Sequence, residues 1–256
     1  MQPLSIKNAD LRQIRLIATD LDGTLTKKGK FSPKLLQTLE KLAKHDITVL
    51  IVTGRSVAWV DGIRTYLPIE GAIAENGGIY FPSSHDEPEI LISIDNLVSH
   101  RQALRETFQE LQNFFPHLEE SFDNTFRITD WTFELQGLTL SDLQKINQFC
   151  QSKNWSFTYS TIQCHIKPLQ QNKANSLLQV LKKHFSILSP YEVMTVGDSL
   201  NDEPLFNPEL FPISVGVANI SHYLSQLKHS PRYITNKPEC DGFSELANLI
   251  LSQKNL

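Results

Sequence analysis

The chain has 256 residues, with 24 Lys and Arg against 28 Asp and Glu, and a formal charge of -4. It therefore has no general electrostatic pull toward nucleic acid or an anionic membrane. Its three cysteines, Cys150, Cys164 and Cys240, are odd in number, widely spaced and without a CxxC pair, which argues against a disulfide framework or a zinc site and for a reducing compartment. No stretch reaches the roughly 20 apolar residues of a membrane span, and residues 1–13 lack the apolar run of a signal peptide. A soluble cytoplasmic protein is expected, large enough for one domain or for a main domain carrying a smaller one.

In chain order, Arg15–Thr19 and Ile47–Val52 are nearly continuous apolar runs, the pattern of strands covered on both faces. Between them Ser32-Pro33 caps a predicted helix with Leu35, Leu36, Leu39, Leu42 and Ala43 at helical spacing. Gly71–Ala74 reads as another strand, followed by the turn Asn76-Gly77-Gly78 and a return strand at Ile79–Phe81. The next stretch differs. A turn-rich exit over Pro82, Ser83, Ser84, His85, Asp86, Glu87 and Pro88 leads to a predicted strand at Ile90–Ile94 and a helix at Leu97–Phe114. Strands are predicted at Phe126–Thr129, Thr132–Gln136, Ser156–Tyr159 and Gln163–Lys167, with a helix at Leu140–Cys150, which together suit a small α+β insert. After Pro168 the first texture returns. A helix over Lys173–Lys182 presents Ala174, Leu177, Leu178 and Leu181 on one face, and buried-type strands follow at Val193–Gly197 and Ile213–Val217. A last strand at Tyr233–Thr235 and a helix at Phe243–Leu251 close the chain. The expected architecture is a three-layer α/β core in two parts, residues 1–81 and 169–256, interrupted by an α+β cap over residues 82–168.

The chemistry concentrates at strand ends. Asp20-Leu21-Asp22-Gly23-Thr24 follows the first apolar strand, and alternation places Asp20 and Asp22 on one side if the extended geometry persists. In open α/β sheets the ligand crevice lies outside the carboxyl ends of the strands. Thr53-Gly54-Arg55 follows the second strand, and Gly197-Asp198-Ser199-Leu200-Asn201-Asp202 follows the strand from Val193. Acidic clusters at two strand ends suit one hard divalent cation with oxygen ligands, as Mg²⁺ prefers. Alternatively, Asp198 and Asp202 cap the helix after Ser199; the two roles are compatible.

These motifs, in this order, resemble the haloacid dehalogenase-like superfamily, and the insert resembles that of its Cof-type, subclass IIB phosphatases, an arrangement shared by sucrose-phosphate and mannosyl-phosphoglycerate phosphatases. The resemblance implies a Rossmann-like parallel-sheet core and a Mg²⁺-dependent phosphomonoester hydrolase working through an aspartyl-phosphate. Asp20 then corresponds to the nucleophile and Asp22 to the general acid/base, which also offers its backbone carbonyl to the metal. Asp198 and Asp202 correspond to the acidic metal motif, Asn201 to a support of that loop, Thr53 to a phosphoryl-gripping residue, and Lys173 to the balancing lysine, although Ala174 stands where glycine commonly follows. Asp22 sets the chain apart from the dehalogenases.

Other positions carry two readings each. Arg55 is a phosphate donor or a loop ion pair, and Gly54 lies in the same phosphate-facing loop. Asn76 contacts ligand or only supports its turn, and Asp241 lies in a late loop with a structural role. In the insert, Arg127, Thr129, Asp130, His165 and Lys167 bind sugar hydroxyls or a second anion, or else pair and cap within the sheet; Trp131 and Trp155 are packing residues. The expected partner is a small phosphorylated metabolite, preferably a sugar phosphate or sugar-like acid, and the expected state is a monomer or homodimer. A phosphosugar mutase and a noncatalytic sugar-phosphate binding protein are the alternatives.

Overall fold

Buried apolar runs at β2 (Leu16–Thr19) and β3 (Thr48–Val52) lie side by side and parallel at the centre of a large sheet. In this computed structural model, residues 2–83, 87–160 and 162–254 are described; Ser84, His85 and Asp86 of the expected turn-rich exit lie outside the described residues. The other strands of the sheet are β1 (Leu4–Ser5), β4 (Gly71–Ala74), β5 (Ile79–Pro82), β6 (Glu89–Ile90), β10 (Val193–Gly197), β11 (Ile213–Gly216) and β12 (Tyr233–Ile234). Their order is β1-β12-β11-β10-β2-β3-β4-β5-β6, parallel from β1 to β4 and antiparallel at β4–β5 and β5–β6.

Alternation along the central strands divides the core into two layers. Ile17, Val49 and Ile51 pack with Leu39 and Leu42 of α1 (Pro33–Lys44), Val60 of α2 (Val57–Tyr66) and Phe243 and Leu246 of α6 (Glu239–Lys254). Leu16, Ala18, Leu50 and Val52 face the other way, against Ala174, Leu177 and Val180 of α5 (Lys173–His184). The chain runs outward from β2 through β3 and β4, then restarts at β10 on the other flank of β2. The connections therefore diverge between the carboxyl ends of β2 and β10, the place where an open parallel sheet leaves a crevice.

A second sheet of order β7-β9-β8 is built from β7 (Trp131–Glu134), β8 (Trp155–Tyr159) and β9 (Gln163–Pro168), all antiparallel. Its apolar face, including Trp131, Phe133, Cys164 and Ile166, packs on Leu104, Phe108 and Leu111 of α3 (Leu97–Gln112) and on Leu143 and Ile146 of α4 (Leu140–Ser152). Trp155 lies at the edge of this layer, so both tryptophans are packing residues.

The structure departs from the sequence reading in four places. The strand expected at Ile90–Ile94 is only Glu89–Ile90, and it extends the large sheet by pairing with β5. Phe126–Thr129 is no strand: a 3₁₀ turn covers Phe122–Phe126, and the amides of Ile128 and Thr129 donate to the carboxylate of Glu75 instead of to a neighbouring strand. Helix α2 was not foreseen, although Val57, Val60 and Ile63 have helical spacing; Gly62 and the β-branched residues weaken its local signal. Helix α6 also begins earlier than expected, at Glu239.

Candidate active site

Asp20 is the first residue beyond β2, held in register by its amide donating to Val196 O at 2.9 Å. Its carboxylate is buried and accepts from Lys173 Nζ at 2.6 Å. The same ammonium donates to Asp202 Oδ1 at 2.6 Å, so the first residue of α5 ties the end of β2 to the loop after β10. Asp202 Oδ2 accepts from the amides of Asp198 and Ser199 at 2.9 and 3.1 Å, capping the 3₁₀ turn Leu200–Phe206. Asp198 accepts from Asn219 Nδ2 at 2.7 Å and from Thr24 Oγ1 at 3.3 Å. One carboxylate oxygen from each of Asp20, Asp198 and Asp202 lies within 4.8 Å of the others.

Three buried carboxylates share one lysine, and the electrostatics reflect that imbalance. Burial pushes Asp20 up to about 7, with Lys173 opposing and Asp202 adding to the rise. Burial together with repulsion from Asp20 and Asp202 pushes Asp198 up to about 9. For Lys173, burial is outweighed by the two carboxylates, which raise its pKa above the ordinary lysine value. A cluster short of positive charge, hydrogen-bonded from outside by Asn219 and Thr24, suits a divalent cation. Gly23 makes this packing possible: its φ is +83°, and a Cβ there would stand 2.4 Å from Asp198 Oδ2.

Asp22 stands apart from this cluster. Its two carboxylate oxygens accept from Arg55 Nε and Nη2, each at 2.7 Å, and the guanidinium lies 5.0 Å from the Trp59 ring centroid. Thr53 Oγ1 accepts from the Arg55 amide at 3.2 Å. Asn76 follows β4 in the left-handed conformation, φ 53°, as does Glu75. Its amide donates to Thr53 O, and its Oδ1 accepts from Asn201 Nδ2 at 3.2 Å. Asn76 Nδ2 is buried and has no hydrogen-bond acceptor among the described residues.

The small sheet roofs these loops. On β9, Gln163, His165 and Lys167 alternate with Cys164 and Ile166, so the polar three face away from the apolar layer. His165 Nδ1 pairs with Asp130 Oδ2 at 2.9 Å, and Asp130 also accepts from Arg127 Nη1. Burial works against the charge on Asp130, yet Arg127 and His165 hold it down to about 2, while burial lowers His165. Arg127 is wholly enclosed. It donates to Asp130, Asp123, Gln163 and Gly54 O, so its terminal nitrogens brace the roof against the Thr53-Gly54-Arg55 loop and do not line the cavity. Glu75, also buried, accepts from the Thr129 amide and hydroxyl, each at 2.7 Å; Gln171 Nε2 donates to Thr129 Oγ1 at 3.1 Å. Lys167 donates to Gln171 O. Asp241 is away from the cavity, in ion pairs with Lys27 and Lys34.

Between roof and core remains a cavity of ≈ 20 Å³ lined by Asp20, Asp22, Gly54, Arg55, His165 and Asn201 among others, room for about one water. The structure thus gathers Asp20, Lys173, Asp198 and Asp202 in one cluster, Asp22 with Arg55 beside it, and His165 above. Glu75, Asn219 and Gln171 complete the site without having been singled out in the sequence, and Thr24 was read only as part of its motif; the role of each depends on a distant partner.

The sequence profile of the family described as haloacid dehalogenase-like hydrolase matches residues 17–114 and 83–246. The chain is 28% identical over 250 residues to a phosphoglycolate phosphatase of Staphylothermus marinus, covering 94% of this chain and 99% of that one. Among solved structures, protein 0175 of Thermoplasma acidophilum superposes with a TM-score of 0.76 at 20% identity, covering 93% and 98% of the two chains. The sucrose-phosphatase of Synechocystis sp. PCC6803, in complex with sucrose and phosphate, gives 0.70 at 19% identity, with 93% and 98% covered.

Proposed function

The chain belongs to the haloacid dehalogenase-like hydrolases and is a phosphatase, and we propose that it hydrolyses a small phosphomonoester through a phosphoryl group carried on Asp20, with Mg²⁺ as cofactor. The observation that carries this reading is the Asp20 carboxylate, buried at the carboxyl end of β2 and 2.6 Å from Lys173.

Asp20 attacks phosphorus, the bond to the leaving oxygen breaks, and Asp22 gives that oxygen its proton. Asp22 then takes a proton from the water that attacks the aspartyl-phosphate, releasing inorganic phosphate and restoring Asp20. Lys173 offsets the negative charge shared by Asp20 and the phosphoryl oxygens. Thr53, which lines the catalytic cavity, supplies a hydroxyl donor for those oxygens. Mg²⁺ would be held by Asp20, Asp198 and the Asp22 backbone carbonyl, with Asp202 behind them, and when bound it neutralises the repulsion between nucleophile and phosphate. Because both Asp202 oxygens are engaged by Lys173 and by backbone amides, Asp202 serves chiefly to fix Lys173 and the loop.

The small sheet with α3 and α4 forms the cap, and its polar face favours a hydroxyl-rich or acidic leaving group. Pro82 of β5 and Glu89–Ile90 of β6 belong to the large sheet, so the insert expected over residues 82–168 starts only after β6. A cavity of ≈ 20 Å³ does not hold a phosphate ester, so the cap lifts to admit substrate and closes to exclude bulk water. Relatives named phosphoglycolate phosphatase favour a small phosphorylated acid, and the polar roof keeps sugar phosphates in the same class of candidates. The test is a Mg²⁺-supported phosphate-release screen of phosphoglycolate, sugar phosphates and nucleotides, followed by rapid-quench trapping on the best substrate. The phosphoryl group should map to Asp20 and be absent from Asp20→Asn. Turnover by folded Asp20→Asn would overturn the mechanism.

A further inference from the structure

Under the same polar roof, next to the catalytic cavity, lies a second cavity of ≈ 460 Å³. The two share Asn201 in their walls, and the larger one also reaches Asn76 and Lys173. Strand β9 supplies a side chain to each: His165 to the catalytic cavity and Lys167, two residues on and on the same face, to the larger one. Two residues of strand set these positions about 7 Å apart. Opposite them on β8, Thr158 pairs with His165 and Ser156 with Lys167, and both hydroxyl residues line the larger cavity.

Lys167 is the unusual member. It is 5% exposed, yet no carboxylate forms an ion pair with it among the described residues; its ammonium donates only to the backbone oxygen of Gln171. Buried cations elsewhere in this molecule are neutralised: Lys173 by Asp20 and Asp202, Arg127 by Asp123 and Asp130. A buried lysine without a counter-ion is costly, and burial indeed pulls Lys167 down to about 8. Asp130, the carboxylate whose charge acts on it, is already committed to Arg127 and His165. Lys228 lines the same cavity, exposed and without an ion-pair partner among the described residues, and Glu203 is the one acidic side chain in its wall.

We propose that Lys167 heads a second subsite, which binds a carboxylate or second phosphate at the far end of the phosphorylated substrate. The inference rests on the phosphatase reading above and specifies the leaving group that it releases. With the phosphoryl group beneath His165, the distal anion lies about 7 Å further along the strand, a span of roughly six bonds at about 1.2 Å each. That length suits a phosphorylated sugar acid or a sugar bisphosphate, with Ser156 and Thr158 meeting the hydroxyls between its ends.

The test compares 6-phosphogluconate with sorbitol 6-phosphate, which share the chain and the phosphate and differ in a carboxylate against a hydroxymethyl group. The wild-type protein should favour the acid in kcat/KM by about tenfold or more, as a charge-assisted hydrogen bond implies. Lys167→Met should abolish that preference through KM, and Lys167→Arg should restore part of it. A wild-type protein indifferent to the carboxylate, or a Lys167→Met variant with the acid-over-polyol ratio intact, would overturn the subsite. If Lys167→Met does not fold, gluconate against sorbitol as inhibitors of wild-type p-nitrophenyl phosphate hydrolysis decides: stronger inhibition by gluconate supports the subsite and equal inhibition overturns it. Failure of the wild-type protein to hydrolyse p-nitrophenyl phosphate at all, with Mg²⁺, would instead count against the phosphatase reading.

Discussion

Arg55 and Asp22 meet fork to fork, each carboxylate oxygen of Asp22 accepting one guanidinium N–H at 2.7 Å. The pair fixes the orientation of the group assigned to proton transfer and also occupies it. Lysine offers a point charge without the planar fork. Arg55→Lys should therefore lower kcat by roughly tenfold, with a smaller change in KM, as steady-state kinetics on the best substrate would read. An unchanged kcat would show that Asp22 is positioned by something else.

Lys173 and Asp20 should have opposite effects on stability. Removing the ammonium leaves Asp20 and Asp202 buried together without compensation, so Lys173→Met should destabilise the protein by about 3–5 kcal/mol. Asp20→Asn keeps Lys173 paired with Asp202 and relieves repulsion among the carboxylates. Its Tm without Mg²⁺ should rise by about 2–4 °C, or about 1 kcal/mol, while phosphatase activity is lost. Thermal melts of both variants in chelator check the signs.

Gly23→Ala should damage the acidic cluster more than its size suggests. The left-handed φ of +83° costs about 1–2 kcal/mol for a residue with a Cβ. That Cβ would also push Asp198 aside, since its Oδ2 would lie only 2.4 Å away. A Mg²⁺ titration of activity should show half-saturation moved upward by about tenfold or more.

Without metal, stability should fall as pH rises above the ordinary carboxyl range. Asp20 and Glu75 are raised to about 7 and Asp198 to about 9, chiefly by burial. Each keeps a proton in the folded chain that it has lost in the unfolded chain, so their contribution declines from about pH 4 through those values. Between pH 5.5 and 7.5 Asp130, held at about 2, is ionised in both states, and Lys173, raised by its carboxylates, is protonated in both. His100 and His165, lowered by burial, oppose the trend below the ordinary histidine value but are outnumbered by the three carboxylates. Melts in chelator should give a lower Tm at pH 7.5 than at pH 5.5, and added Mg²⁺ should restore more at the higher pH. A Tm that rises over this interval would contradict the assignment.

Much of this was legible in the sequence because it is local. The runs at Leu16–Thr19 and Thr48–Val52 need only burial on both faces to be strands, and the acidic residues that follow β2 and β10 then fall at neighbouring strand ends. What was not legible depends on distant partners. The amides of Ile128 and Thr129 would serve a strand as well as they serve Glu75, which lies more than fifty positions earlier and sits in a left-handed turn. Asn219 has no motif around it; only the fold brings it to Asp198. Arg55 allowed two readings because a guanidinium fits a phosphate and a carboxylate equally well, and here it holds Asp22. No helix among the described residues is long and apolar enough to cross a membrane.

The strict alternation of β9 separates two kinds of evolutionary change. Cys164 and Ile166 are bound to the aromatic layer beneath, whereas Gln163, His165 and Lys167 face the crevice. Substitutions at odd-numbered positions can retune selectivity while the even-numbered ones keep the insert folded. An insertion or deletion within the strand would exchange the two sets, putting charge into the aromatic layer and cysteine over the crevice. Diversification of substrate range in proteins built this way should therefore proceed by replacement at alternate positions, with length changes confined to the turns at either end of the strand.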